Sequence, residues 1–171
     1  MEAFAALLDA LVYTRSRNGK LALIADYLRE TPDPDRGWAL AALTDGLDFP
    51  AVKAGTIRAL LMDRVDPVLF KLSRDFVGDT AETASLLWPD DPAALDPPSL
   101  SETVAALSAM TRQSVAAEFA RLLDRLDANG RYALIKMATG AMRIGISARL
   151  AKVAFAQAFD VPVEDVEEYW H

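Results

Sequence analysis

Two acid-free stretches hold the residues of this chain best suited to chemistry. The first, 14-TRSRNGK-20, sets two hydroxyls, an amide and three cations within seven residues. The second, 140-GAMRIGISARLAK-152, sets Arg143 between two glycines and follows it with Arg149 and Lys152. Hydroxyls, amides and cations at a helix start are the groups that bind phosphate oxygens, so the chemistry is anion binding rather than bond making. Arg149 and Lys152, three residues apart, share one face of a helix expected from Ser147. Cations there oppose the helix macrodipole at a cost of ~0.3–1 kcal/mol, an objection that a bound phosphate removes. The free N–H groups around Ile146 and Ser147 would serve the same anion. Gly140 and Gly145 read as a helix C-cap and a turn, and the missing Cβ of each also lets backbone approach a ligand. In the first stretch Thr14 and Ser16 offer hydroxyls and caps, Asn18-Gly19 a turn, and Arg15, Arg17 and Lys20 the charge.

The whole-chain charge hides these patches. The formal charge is −7, from 18 basic and 25 acidic residues. Window 10–25 holds Arg15, Arg17 and Lys20, and window 128–159 holds Arg131, Lys136, Arg143, Arg149 and Lys152. Neither contains an acid, which leaves ten basic residues against 25 acids elsewhere. Charged side chains commonly just solvate a helix face, so the pattern points to a ligand only if the two windows meet on one surface. Sequence-independent nucleic-acid binding is then the inference. Of Tyr13, Trp38, Phe70, Trp88, Phe119, Tyr132, Phe155 and Trp170, only Tyr13 and Tyr132 fall beside cations, where a base-stacking platform would need them. The others read as core, so a duplex is favoured over a single strand. The alternative is a helical-repeat protein-interaction scaffold whose acidic surface is the working face. Burial or opposite placement of the two windows would favour it.

Other chemistries lack their residues. The chain has no Cys, and its single His is His171, which removes thiolate and imidazole metal sites and the usual nucleophilic triads. There is no GxxxxGK[ST] and no strand-linked GxGxxG to cradle a nucleotide. Asp33/Asp35 and Asp90/Asp91 lie in Pro-rich loops and read as solvated turns rather than metal ligands. No catalytic residue, cofactor site or metal site is expected. No apolar run approaches the ~20 residues needed to span a bilayer. The opening residues lack the basic flank of a signal peptide. A soluble, monomeric, cytoplasmic protein is expected, associated with the nucleoid if it binds DNA.

The elements that must position these residues read as helices. Ala and Leu dominate and β-branched residues are scattered, which predicts an all-α domain spanning 1–171. Helical patterns cover roughly 2–12, 18–30, 35–44, 51–62, 66–76, 79–88, 101–109, 112–126, 130–139, 147–159 and 162–169, within a compact domain of about ten to twelve helices. Pro50, Pro67 and Pro162 suit first helical turns. The Pro-rich loop 89–99 separates halves of about 1–88 and 100–171, and Ser99/Ser101 signal a capped helix after it. TRSRNGKLALIADYL and TRQSVAAEFARLLDRL align weakly, an expectation of two pseudo-symmetric helical halves.

The segment GAMRIGISARLAKVAFAQAF resembles the G-x-[LM]-R-[IL]-G segment near the end of the N-terminal DNA-binding domain of ATP-dependent DNA ligases. The opening FAALLDALVYTRSRNGKLALIADYLRETPDPDRGWALAAL and VDPVLFKLSRDFVGDTAETASLLWP look like the bacterial branch of that family, and the likeness covers nearly the whole chain. The resemblance implies an all-helical domain with internal pseudo-symmetry. It would lie on the minor groove of double-stranded or nicked DNA and serve nick sealing in replication, repair and recombination. Carried over residue by residue, it implies contacts from Thr14, Ser16, Arg17, Asn18 and Lys20, and from Gly140, Arg143, Gly145 and Arg149. ATP and Mg²⁺ would belong to the full-length ligase and its catalytic domains. The family attaches AMP to the lysine of K-x-D-G, and no lysine here lies in such a motif. The chain stops at EYWH, where the family continues into a nucleotidyltransferase domain. An isolated domain that neither adenylylates itself nor seals DNA is expected.

Overall fold

The computed structural model describes residues 1–91, 95–140, 142 and 144–170, apart from the side chains of Arg74 and Phe76. Among the described residues there are eleven helices and no strand, as the Ala/Leu-rich periodicity predicts. They are α1 (Glu2–Tyr13), α2 (Arg17–Glu30), α3 (Asp35–Leu43), α4 (Ala54–Arg64), α5 (Pro67–Val77), α6 (Thr80–Leu87), α7 (Leu100–Ala109), α8 (Val115–Asp124), α9 (Ala128–Ala138), α10 (Ala148–Phe159) and α11 (Val163–Tyr169).

Local chemistry sets most of the boundaries. Ser99 and Glu102 form a reciprocal capping box that starts α7. Asp79 and Asp127 accept first-turn amides of α6 and α9. α4 and α8 each start three residues later than the sequence predicts. Pro50 suits a first helical turn at 51, yet Val52 N–H bonds back to the Phe49 carbonyl in a turn, and the helix starts at Ala54.

One buried cluster draws on residues from Met1 to Ala158, with Phe4, Leu8, Leu11, Ile24, Leu28, Phe119 and Leu134 at its centre. Packing crosses the Pro-rich break repeatedly: α1 on α9, α2 on α10, α3 on α7, α4 on α8 and α6 on α9. Two polar knots hold the break in place. In the first, the Asp35 carboxylate at the start of α3 accepts the amides of Leu100 and Ser101 at 3.0 and 2.8 Å. In the second, Arg131 on α9 is 3% exposed and donates to the carbonyls of Leu123 and Trp88, both at 3.0 Å, and to Asp90 at 2.9 Å. Beside it Trp88 donates its indole N–H to Asp124, which also pairs with Arg64.

Removing Arg131 takes the donor from the buried Trp88 carbonyl and one of two from the Leu123 carbonyl, which keeps the Leu126 amide, so Arg131→Met should cost about 2 kcal/mol in a urea unfolding experiment. A loss below about 1 kcal/mol would mean that water reaches the Trp88 carbonyl.

Acid should weaken the first knot. Burial alone would raise the Asp35 carboxyl, but the Ser101 hydroxyl and the amides of Ser101 and Leu100 outweigh it and hold it below 3.8. Asp79 is likewise pushed up by burial and pulled lower overall by Lys136 and the amides of Glu82 and Ala81. Both groups bind protons more readily in the unfolded chain. Their stabilisation is therefore full above the ordinary carboxylate value and is lost as pH falls through it toward the depressed folded values. The urea midpoint should drop below about pH 4, and Asp35→Asn should lower the midpoint at neutral pH and flatten that drop.

Candidate nucleic-acid interface

Helices α2 and α10 are separated by the 117 residues 31–147, yet they pack more extensively than any other pair. They run parallel. At their starts, the Lys20 ammonium in the first turn of α2 donates to the Ile144 carbonyl, just before α10, at 2.7 Å. At their ends, Arg36 donates to the carbonyl of Thr31, which closes α2, and its guanidinium lies 4.9 Å from the ring centroid of Phe159, the last residue of α10. The two basic windows therefore meet, and their helix starts lie side by side.

The two starts share one design. Ser16 accepts the Gly19 amide at 2.9 Å and Ser147 accepts the Leu150 amide at 3.1 Å. Neither helix has an acid in its first turn. Among the eleven helices only α4 is similar, with Lys53 at its N-cap and no first-turn acid. The other eight have a carboxylate at the cap or in the first turn, or, for α5, Asp66 accepting the amides of Val68 and Leu69. The start of α4 borders the same region: Lys53 and Ala54 line a cleft of about 210 Å³ with Ala138, Thr139 and Gly140. Asp48 is the one carboxylate lining it. The acid-free starts of α2 and α10 thus meet at Ile144, and that of α4 lies beside Gly140.

The site residues expected from sequence divide on this frame. Ser16, Arg17 and Asn18 are exposed at the start of α2, and Arg149 is exposed in the first turn of α10. Arg15, Arg17 and Arg149 make no ion pair among the described residues. Arg143 lies outside the described residues. Gly140 has φ 66°, directly after the Thr139 C-cap of α9, and a Cβ there would meet nothing within 4 Å. Its requirement is backbone conformation. Gly145, with φ 67°, differs, because a Cβ there would stand 3.3 Å from the Lys20 ammonium.

Several expectations need correction. Thr14 closes α1 and donates its hydroxyl to the Ala10 carbonyl at 2.8 Å, so that proton is engaged. Asn18-Gly19 is no turn: both sit in the first turn of α2, where the Ser16 cap uses the Gly19 amide. Lys152 sets its ammonium 5.5 Å from the ring centroid of Trp170. Arg131 is buried, and Lys136 pairs with Asp79, so neither adds to a surface patch. Lys53 was not singled out by sequence, because it stands alone outside both windows. Its signal is a helix start lacking any side-chain cap.

Among the described residues no group of three His, Cys, Asp or Glu is placed to hold a metal ion, and no helix is long and apolar enough to cross a membrane. No protein-family model matches the chain, and no curated protein matches it either.

The two serine caps hold the interface helices in place. Ser16→Ala and Ser147→Ala should each cost about 1 kcal/mol of stability by urea unfolding, because each leaves a first-turn amide without its acceptor. A change within a few tenths of a kcal/mol would show that water substitutes for the hydroxyl.

Proposed function

We propose that this chain is a helical DNA-binding module that grips the backbone of duplex or nicked DNA without reading sequence, through the starts of α2, α4 and α10. The observation that carries the reading is the meeting of the acid-free starts of α2 and α10 at Ile144, with the acid-free start of α4 beside Gly140 and exposed Arg15, Arg17, Lys53 and Arg149 at these starts. Each start offers N–H groups and a positive dipole end, and the arginines offer planar donor forks that match phosphate oxygens. Membership of an ATP-dependent DNA ligase, with ATP and Mg²⁺ handled by catalytic domains elsewhere, rests on the sequence resemblance, which is most specific at TRSRNGK and GAMRIG. In that setting the module would supply affinity and hold a nick for sealing.

A scaffold reading has one observation in its favour. Met62, Val68, Leu69 and Leu72 expose an apolar face along α4 and α5, at 50, 67, 49 and 64% exposure. A chain that ignores DNA while capturing a protein through that face would be such a scaffold.

Binding to a fluorescent nicked duplex at several salt concentrations separates the two. Four phosphate contacts predict an affinity loss on the order of a hundredfold between about 50 and about 200 mM salt. Arg17→Ala and Arg149→Ala should each lower the salt slope by about 0.9 while leaving the circular-dichroism melting curve unchanged. Salt-independent binding, or no binding at about 50 mM salt, would sink the backbone reading.

A further inference from the structure

Lys20 stands among the phosphate contacts that the sequence implies, but its surroundings give it another task. Its ammonium donates to the Ile144 carbonyl, 124 residues away, at 2.7 Å, and it is half-buried. It also fills the open side of Gly145, whose backbone at φ 67° only glycine adopts readily. Arg15, Arg17, Lys53 and Arg149, the other cations at this end, have no carbonyl partner among the described residues. A lysine that only solvated a helix face would resemble them.

We infer that Lys20 is a positioning residue: it latches Ile144 and Gly145 to the first turn of α2 and so fixes the spacing of the α2 and α10 starts before any ligand arrives. Its effect on binding rests on the backbone-grip reading, whereas its effect on the free chain rests on geometry alone. A segment already held in place spares the ordering cost that a loose one would incur on binding. The latch therefore raises affinity without adding a phosphate contact. Losing it should weaken binding while the number of counterions released stays the same.

In the unmutated chain, acetic anhydride should acetylate Lys20 about tenfold more slowly than the exposed Lys53 and Lys71, because the engaged ammonium must first let go of its carbonyl. Equal rates would overturn the latch. Lys20→Met keeps the aliphatic stem and should shift the carbonyl ¹³C resonance of Ile144 and the amide of Gly145. Arg17→Met removes the same charge three residues away and should leave both in place. Unmoved resonances in Lys20→Met would also overturn the inference. On nicked duplex, Lys20→Met should bind about tenfold more weakly with the salt slope of the unmutated chain, whereas Arg17→Met lowers the slope by about 0.9. A slope lowered equally by Lys20→Met would make Lys20 a phosphate ligand and end the positioning role. If the unmutated chain ignores DNA, the backbone-grip reading fails, and the acetylation rates and resonances still decide the latch.

Discussion

The parallel packing of α2 along α10 is the constraint on which the rest of this end of the molecule depends. Helices joined by short connections usually neighbour one another antiparallel, which sets a positive end beside a negative one. These two come from opposite ends of the chain and run the same way, so two positive ends share one edge. The dipole cost is of order ~0.3–1 kcal/mol. Full burial of Ile24 and Leu28 on α2, each 0% exposed, contributes roughly 1.5–3 kcal/mol per side chain, so apolar packing decides the arrangement. The stripe of Ala151 and Ala154 on α10, also fully buried, allows the close approach.

Where the carboxylates go is the counterpart of that packing. Asp66, Asp79, Asp127 and the Ser99–Glu102 box quench the starts of α5, α6, α9 and α7, and Asp35 adds a further carboxylate at α7. The starts of α2, α4 and α10 have none. A fold selected for stability alone would gain from an acid in each of these first turns. Serine caps at α2 and α10 keep the helices defined while leaving the field of their ends open to an outside anion.

Much of this was legible in the sequence because it is local. Periodicity placed all eleven helices, and Ser99, Ser16 and Ser147 announced their caps within three residues of the amides they accept. The misses are non-local or balanced between local signals. Pro50 fits both a helix start and the turn it occupies, so α4 was expected three residues early. Asn18-Gly19 has turn chemistry, but the Ser16 cap draws it into α2. No spacing rule places the Lys20 ammonium on a carbonyl 124 residues away, or the Arg131 guanidinium on Trp88, 43 residues back.

Those long-range bonds also explain why a count of cations misleads. In the two basic windows each lysine has an internal partner: Lys20 the Ile144 carbonyl, Lys136 Asp79, and Lys152 the Trp170 ring. Arg131 is spent on backbone carbonyls. Arg15, Arg17 and Arg149 are the exposed cations left unpaired among the described residues of those windows. The division follows the chemistry of the two side chains. An ammonium is a compact donor that can tie one carbonyl, whereas a guanidinium fork suits the paired oxygens of a phosphate. The 25 acids oppose a polyanion at long range, but beyond a Debye length of about 8 Å at physiological salt that repulsion is screened. At contact the proposed grip depends on the arginines and open helix starts, so the acidic total does not decide against it.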